Sequence, residues 1–308
     1  MAKLIQFVLA LSLLTLFSIQ NVLGEIAPRL NAAVFEDGRS IWTFARYTNY
    51  TAYSMISGET AQDFKNMLSY TLPDLAYCYD ANQKQLFSIS DLPVVFTDEN
   101  SLFLDLGSGD IAHMYIPLGS SKLNIQVYDK TGSPKGQNRV LFDVLTYSVA
   151  VSETQPAKIL ITYYIIEKDN TGSAMYTLLD DSGATVLNST LIASKVFTVT
   201  TDRSYVQSIA ASSTADGNFI VNWNAGLNNN GKNNNNLIRA AYIQPGKPIT
   251  QAFIVAMSNT LGYLRVIKCG TLRAGDGHYC VYEYWGSGAA AVRSYASYIT
   301  EFSFTGAR

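Results

Sequence analysis

The chain predicts an all-β fold, a β-propeller of about five four-stranded blades. Three observations predict it. Apolar and aromatic runs with period-two alternation recur along the chain. Asp-Gly and Pro-Gly pairs, which favour tight turns, separate these runs. The pattern repeats at a step of about fifty residues, the size of one blade. An irregular β-sandwich stack is the alternative all-β arrangement. Composition agrees with strands: charged residues are 15% of the chain, against 20 Tyr and 14 Phe.

The best-preserved unit spans 208–253. It runs strand, Asp216-Gly217 turn, strand through Phe219, Val221 and Trp223, then an Asn-rich tract. It resumes as a strand from Leu237, a Pro245-Gly246 turn and a last strand ending at Phe253. The tract from Asn228 to Asn236 cannot bury apolar surface, so a surface loop is expected.

The other elements follow in chain order. Residues 1–24 read as a signal peptide. Lys3 precedes an apolar run over 4–17, and Val22-Leu23-Gly24 offers a small residue at the cleavage site before Glu25. The other reading is an uncleaved anchor, but the run is shorter than the ~20 residues that span a bilayer. No later stretch is apolar enough, so no membrane span is expected after cleavage and the protein is expected to be secreted. Residues 25–308 then form a single propeller domain.

The first blade covers 31–90. Asp37-Gly38 turns into a strand that places Trp42 and Phe44 on one face, residues 61–68 could hold a helical turn, and Asp80 opens a hairpin turn. The second, 91–143, has Asp98 where Asp-Gly stood, a Gly107-Ser-Gly turn, and a hairpin turn at Asp129. The third, 144–197, turns at Asp180. The fourth, 198–256, is the unit quoted above. The fifth, 257–308, carries Asp276-Gly277 and a strand through Glu283 and Trp285 but stops one strand short. Segment 25–35 is expected to close it, because closure hides sheet edges.

The fourth blade's pattern of apolar strand, Asp-Gly turn, aromatic-ending strand and Pro-Gly hairpin resembles the tandem β-strand repeats of large secreted or surface proteins of microbes. The likeness is good over 208–253 and partial over 31–89. It implies propeller blades and supplies no catalytic residues to carry over.

Several function classes drop out. With 22 Lys plus Arg against 24 Asp plus Glu there is no basic stripe for nucleic acid. No phosphate loop or nucleophile elbow is present, and no cofactor is implied. The two histidines, His113 and His278, lie in different blades, and His278 reads as a turn-surface residue. No short-spaced His/Cys set suggests a metal. The Asp-bearing turns at 105–110 and 180–181 match no calcium-loop spacing.

Two functional readings from different classes remain, with a third beside them. One is a non-enzymatic propeller that binds an extracellular glycan or protein, with Trp42, Trp223 and Trp285 as candidate stacking residues. The second is a glycosidase-like hydrolase with paired axial acids. Its candidates are Glu283, Asp37, Asp216 and Asp276, with Asp98 at the equivalent place. Asp before Gly is also plain turn chemistry, and the tryptophans are also natural inter-blade core. The third is a structural surface or matrix protein. In an oxidising compartment Cys269 and Cys280, flanking a Gly-rich turn, are expected to form a disulfide, leaving Cys78 as a buried small hydrophobe. Asn49-Tyr-Thr and Asn188-Ser-Thr are glycosylation sequons.

The N-terminal reading has a direct check. Expressed in a eukaryotic secretory host, the chain should reach the medium with Glu25 as its first residue by N-terminal sequencing. An intracellular product starting at Met1 contradicts it.

Overall fold

The computed structural model describes residues 29–35, 37–45, 74–93, 101–117, 120–144, 146–198, 208–227, 233–257, 262–271, 277–286 and 295–303. Every regular element among the described residues is a strand. The first sheet holds β1 (Arg29–Val34), β2 (Ser40–Ala45), β3 (Asp74–Tyr79) and β4 (Gln85–Leu92). The second holds β5 (Ser101–Asp105), β6 (Ile111–Tyr115), β7 (Lys122–Tyr128) and β8 (Arg139–Asp143). The third holds β9 (Tyr147–Val151), β10 (Lys158–Ile166), β11 (Thr171–Asp180) and β12 (Thr185–Thr198). The fourth holds β13 (Ile209–Ser213), β14 (Phe219–Leu227), β15 (Asn233–Ile243) and β16 (Phe253–Met257). The fifth holds β17 (Gly262–Thr271), β18 (Gly277–Gly286) and β19 (Tyr295–Ser303).

Each sheet is an up-and-down antiparallel meander in chain order, four strands in sheets one to four and three in sheet five. The protein is therefore an all-β chain of propeller blades, as the sequence predicts. The expected closing segment behaves differently. Arg29–Val34 pairs residue by residue with β2, from Arg29 opposite Ala45 to Val34 opposite Ser40, so it opens the first sheet. The Asp37-Gly38 turn between them is short enough to return the chain at once, and local pairing costs the least loop entropy.

The described chain groups into two compact units. The first is built mainly from sheet one. Ile41, Ala76, Cys78, Phe87 and Ile89 are buried there. Cys78 is buried and takes no part in the disulfide, as expected of a small core hydrophobe.

The second unit contains sheets three, four and five, and its packing follows from the pleat. Alternate residues of β14 point to opposite faces, and both faces are buried. Phe219, Val221 and Trp223 pack with Leu160, Tyr164, Tyr176 and Phe197 of sheet three. Ile220 packs instead with Leu264, Val266, Cys269 and Cys280 of sheet five. Sheet four is thus the filling between two neighbours. The first strands β9, β13 and β17 lie side by side, while the fourth strands are sheet edges. In sheet five Cys269 sits directly opposite Cys280 on the β17–β18 hairpin, and the two form the expected disulfide.

One buried polar group ties the three sheets together. Asn224 on β14 accepts from the Ser208 backbone N–H at 2.9 Å and from the Ser208 hydroxyl at 2.6 Å. Its amide nitrogen donates to the Leu264 carbonyl of β17 at 2.8 Å. The Val266 N–H donates to the Ser208 hydroxyl at 2.7 Å. From sheet three, the Tyr164 hydroxyl donates to the Ser208 carbonyl at 2.9 Å. Replacing Asn224 with Leu should strip partners from several buried groups at once. We expect a loss of about 3 kcal/mol or more in chemical denaturation, since each orphaned buried polar group costs about 1–3 kcal/mol. A loss under about 0.5 kcal/mol contradicts this account of the interface.

Candidate binding surface at the hairpin turns

Among the described residues, six hairpins share one five-residue turn. The first residue's N–H donates to the fifth residue's carbonyl, and the fourth residue's N–H donates back to the first residue's carbonyl. The turns start at Phe35, Asp80, Asp129, Glu167, Asp180 and Thr214. The fourth position has positive φ in each: Gly38, Gln83, Gly132, Asn170, Gly183 and Gly217. This is a type I turn closed by a left-handed residue, a geometry that suits three-residue hairpin loops. Glycine fits there at no steric cost.

An aspartate braces each turn in one of two ways. At the first position, Asp80, Asp129 and Asp180 each accept from the backbone N–H groups of the third and fifth residues. Those of Asp180 come from Ser182 and Ala184, both at 2.9 Å. At the third position, Asp37, Asp169 and Asp216 accept from the fifth residue, as Asp37 does from the Arg39 N–H at 2.9 Å. The carboxylates that recur about every fifty residues in the sequence are therefore turn braces.

Asp216 shows how completely a brace is used. Its Oδ1 accepts from the Thr214 hydroxyl and from the Asn218 N–H. Its Oδ2 accepts from the Asn218 amide at 2.6 Å and the Tyr242 hydroxyl at 3.1 Å. A carboxylate has about four acceptor sites, and here four donors fill them. Burial pushes the Asp216 carboxyl up, but the hydrogen bonds from Thr214, Asn218 and Tyr242 outweigh it and hold it below its usual value. Asp37 is likewise held low, with burial opposed by the Arg39 backbone and side chain. Neither is set up to donate a proton, which a glycosidase acid must do.

The remaining candidates fall as follows. Asp98, Asp276 and Asn49 lie outside the described residues. Glu283 is on β18, opposite Arg265 and Ser297 in register. Trp42 is on β2, opposite Ala32 and Tyr77, and Trp285 on β18 is opposite Tyr263 and Tyr295. The side chains of Glu283, Trp42 and Trp285 lie outside the described set. Trp223 is 1% exposed and belongs to the core between sheets three and four, so it is closed to a stacking ligand. Asn188 is exposed on β12. Among the described residues no group of three His, Cys, Asp or Glu is placed to hold a metal. The Asp105 carboxylate is taken by the Gly107 N–H, and Asp110 by Lys135 at 2.7 Å.

His278 corrects the sequence reading. It is not on a turn surface but is the second residue of β18, fully buried against sheet four. The strand begins at Gly277, so the next side chain already points inward. Its Nε2 lies 3.1 Å from the Asn222 amide nitrogen and its Nδ1 lies 3.3 Å from the Ser212 hydroxyl. A neutral ring, with one nitrogen donating and the other accepting, satisfies both partners. His113 is also buried, stacked between Phe103 and Tyr115 and bonded to the Ser101 hydroxyl at 2.9 Å.

What the fold does assemble is a row of turns in the second unit. The 106–110 turn, the 152–158 loop and the 214–218 turn touch in sequence. The Gln155 amide donates to the Leu106 carbonyl at 3.0 Å. Thr154 lies over Gly217, where an added Cβ would meet its Oγ1 at 2.5 Å. Ser108, Glu153, Thr154 and Asp216 are exposed along this row, with Asn218 and Tyr242 half-buried beside them. Nothing local in the chain announces it, because Thr154 sits in no motif and meets Gly217 only through the packing of two sheets.

No family model matches the chain, and no curated protein does. Solved structures with similar folds include a Trypanosoma rangeli sialidase, at 14% identity and TM-score 0.42, covering 91% of this chain and 46% of that one. An arabinofuranosidase from Fusarium graminearum has 10% identity and TM-score 0.40, covering 90% and 93%. The Dos1 propeller has 9% identity and TM-score 0.37, covering 87% of this chain and 57% of that one. Several of these neighbours are thus considerably longer than this chain.

Burial lowers His278 to about 4 and His113 to about 3. Both rings stay neutral in the fold while the unfolded chain takes up protons below about 6.5. The histidine contribution to stability should therefore be level above pH 7 and fall as pH drops from about 6.5 towards 4, where His278 begins to charge in the fold. His278→Asn should flatten the slope of melting temperature against pH in that window by about one proton's worth. An unchanged slope contradicts the buried neutral ring.

Proposed function

We propose that this protein is a secreted, non-enzymatic β-propeller that binds an extracellular glycan or protein. The polar chemistry of the turn row suits a polyhydroxylated ligand best. The observation that carries this reading is the fate of the carboxylates. The described candidate acids, Asp37 and Asp216, are held as anions by their own turns. Thr154, by contrast, stands exposed over Gly217, with exposed Glu153 just before it, on a loop fixed to both neighbouring turns. Polar side chains on rigid short loops are the usual means by which a β-scaffold binds. A sugar hydroxyl can donate to Glu153 and accept from Thr154 without any proton transfer.

The test is a glycan array with the secreted full chain, followed by titration of the best binder against variants. Glu153→Gln and Thr154→Val should each weaken binding about tenfold, as expected for loss of one hydrogen bond to a charged or well-placed partner. Melting temperature should stay within a few degrees of the parent. The same preparations should turn over no glycoside in a broad chromogenic panel. Binding indifferent to both substitutions, or hydrolysis that Glu283→Gln abolishes, overturns the reading.

A further inference from the structure

We propose that Asn188 carries an N-linked glycan, and that this glycan covers the exposed edge strand of the third sheet. The inference rests on the secretion proposed above and not on the ligand.

β12 is the longest strand described, at 14 residues, and it forms an edge of its sheet. Such an edge presents unpaired backbone groups that can template pairing with another chain. Here the hazard is increased by side chains. Val186 is 57% exposed and Leu191 48% exposed, with Leu187 exposed between them. Apolar side chains on a long open edge invite self-association.

Asn188 sits in the middle of this stretch. Leu178 pairs with Leu187 and Tyr176 with Thr190, so Asn188 and Ser189 together face the single residue Thr177. That is a β-bulge. Both residues of the bulge are exposed, and the Ser189 hydroxyl is bonded to the buried Tyr163 hydroxyl. Thr190, the hydroxyl residue of the sequon, donates to the Asn188 carbonyl at 2.8 Å. A glycan added to the nascent chain at Asn188 would thus project to solvent after folding and displace nothing from the core.

The chemistry is transfer from a polyprenyl-pyrophosphate-linked oligosaccharide. The Asn188 amide nitrogen forms a bond to C1 of the first sugar and loses one proton. The C1–oxygen bond to the pyrophosphate breaks, and the lipid pyrophosphate leaves with that electron pair. No oxidant or reductant is needed. A bulky, hydrated group at this point shields Val186, Leu187 and Leu191 together.

The experiment uses the full chain secreted from insect cells, in an Asn49→Gln background that removes the other sequon. Peptide mass spectrometry should find a glycan on Asn188. Asn188→Gln and Thr190→Ala should lose it, and Thr190→Ser should keep it. Enzymatic removal of the glycan from folded protein should raise self-association several-fold by light scattering at fixed concentration. An unmodified Asn188 in exported protein overturns the proposal, as does a chain that is not exported. Deglycosylated protein that scatters no more than the glycosylated form overturns the shielding role.

Discussion

The pairing of Asn224 with Ser208 is the constraint on which the second unit depends. Sheets that pack face to face through apolar side chains alone could slide, since hydrophobic burial is not directional. Directional bonds prevent that. Asn224 and Ser208 engage a carbonyl and an N–H of β17 on one side, while the Ser208 carbonyl receives the Tyr164 hydroxyl on the other. Tyr164 is fully buried, and burial pushes its hydroxyl well above the usual range, so it stays a neutral donor. Its ring meets Phe197 edge-on at 5.1 Å. Trp223 and Phe219 then pack in a position that these bonds set. Apolar area supplies most of the cohesion, and the polar group chooses which residues meet.

The same division of labour explains the turns. A propeller blade needs its strands to reverse tightly, and a left-handed fourth residue makes the reversal. The aspartate then satisfies N–H groups that the turn leaves without a ladder partner. Asp80, Asp129 and Asp180 do this at the hairpin between third and fourth strands of the first three sheets. Asp37 and Asp216 do it between the first and second strands of sheets one and four. A residue consumed in this way recurs for architectural reasons, which is why recurrence alone is weak evidence for catalysis.

How much was legible in the sequence follows from the range of each interaction. The Asp turns were legible because brace and braced N–H groups lie within four residues. The five sheets were legible because period two and turn spacing repeat locally. His278 was misread because it directly follows the Asp276-Gly277 pair, and its partners Ser212 and Asn222 are more than fifty residues away. The role of Asn224 was hidden for a similar reason. Its polar character breaks an apolar alternation, and nothing local says that a carbonyl of the next sheet awaits it. The order of the first sheet was hidden because the same extended segment can serve either as an opening or as a closing strand.

The strand edges complete the physical picture. Exposed large apolar residues fall repeatedly on fourth strands: Leu86 on β4, Val140 on β8, Val186 and Leu191 on β12, and Ile254 and Met257 on β16. The first strand of sheet four shows the reverse, with Ile209 and Ala210 of β13 buried beside β9 and β17. Within the second unit the sheets stack side by side with β9, β13 and β17 together, away from the fourth strands of their own sheets. A fourth strand therefore keeps one edge open whatever its sequence, and only side chains can protect it. β4, β8 and β16 limit the exposure by being short, at eight residues or fewer. β12 is longer and cannot use that remedy, so its protection must come from the irregular pairing with β11 and from what its exposed side chains carry.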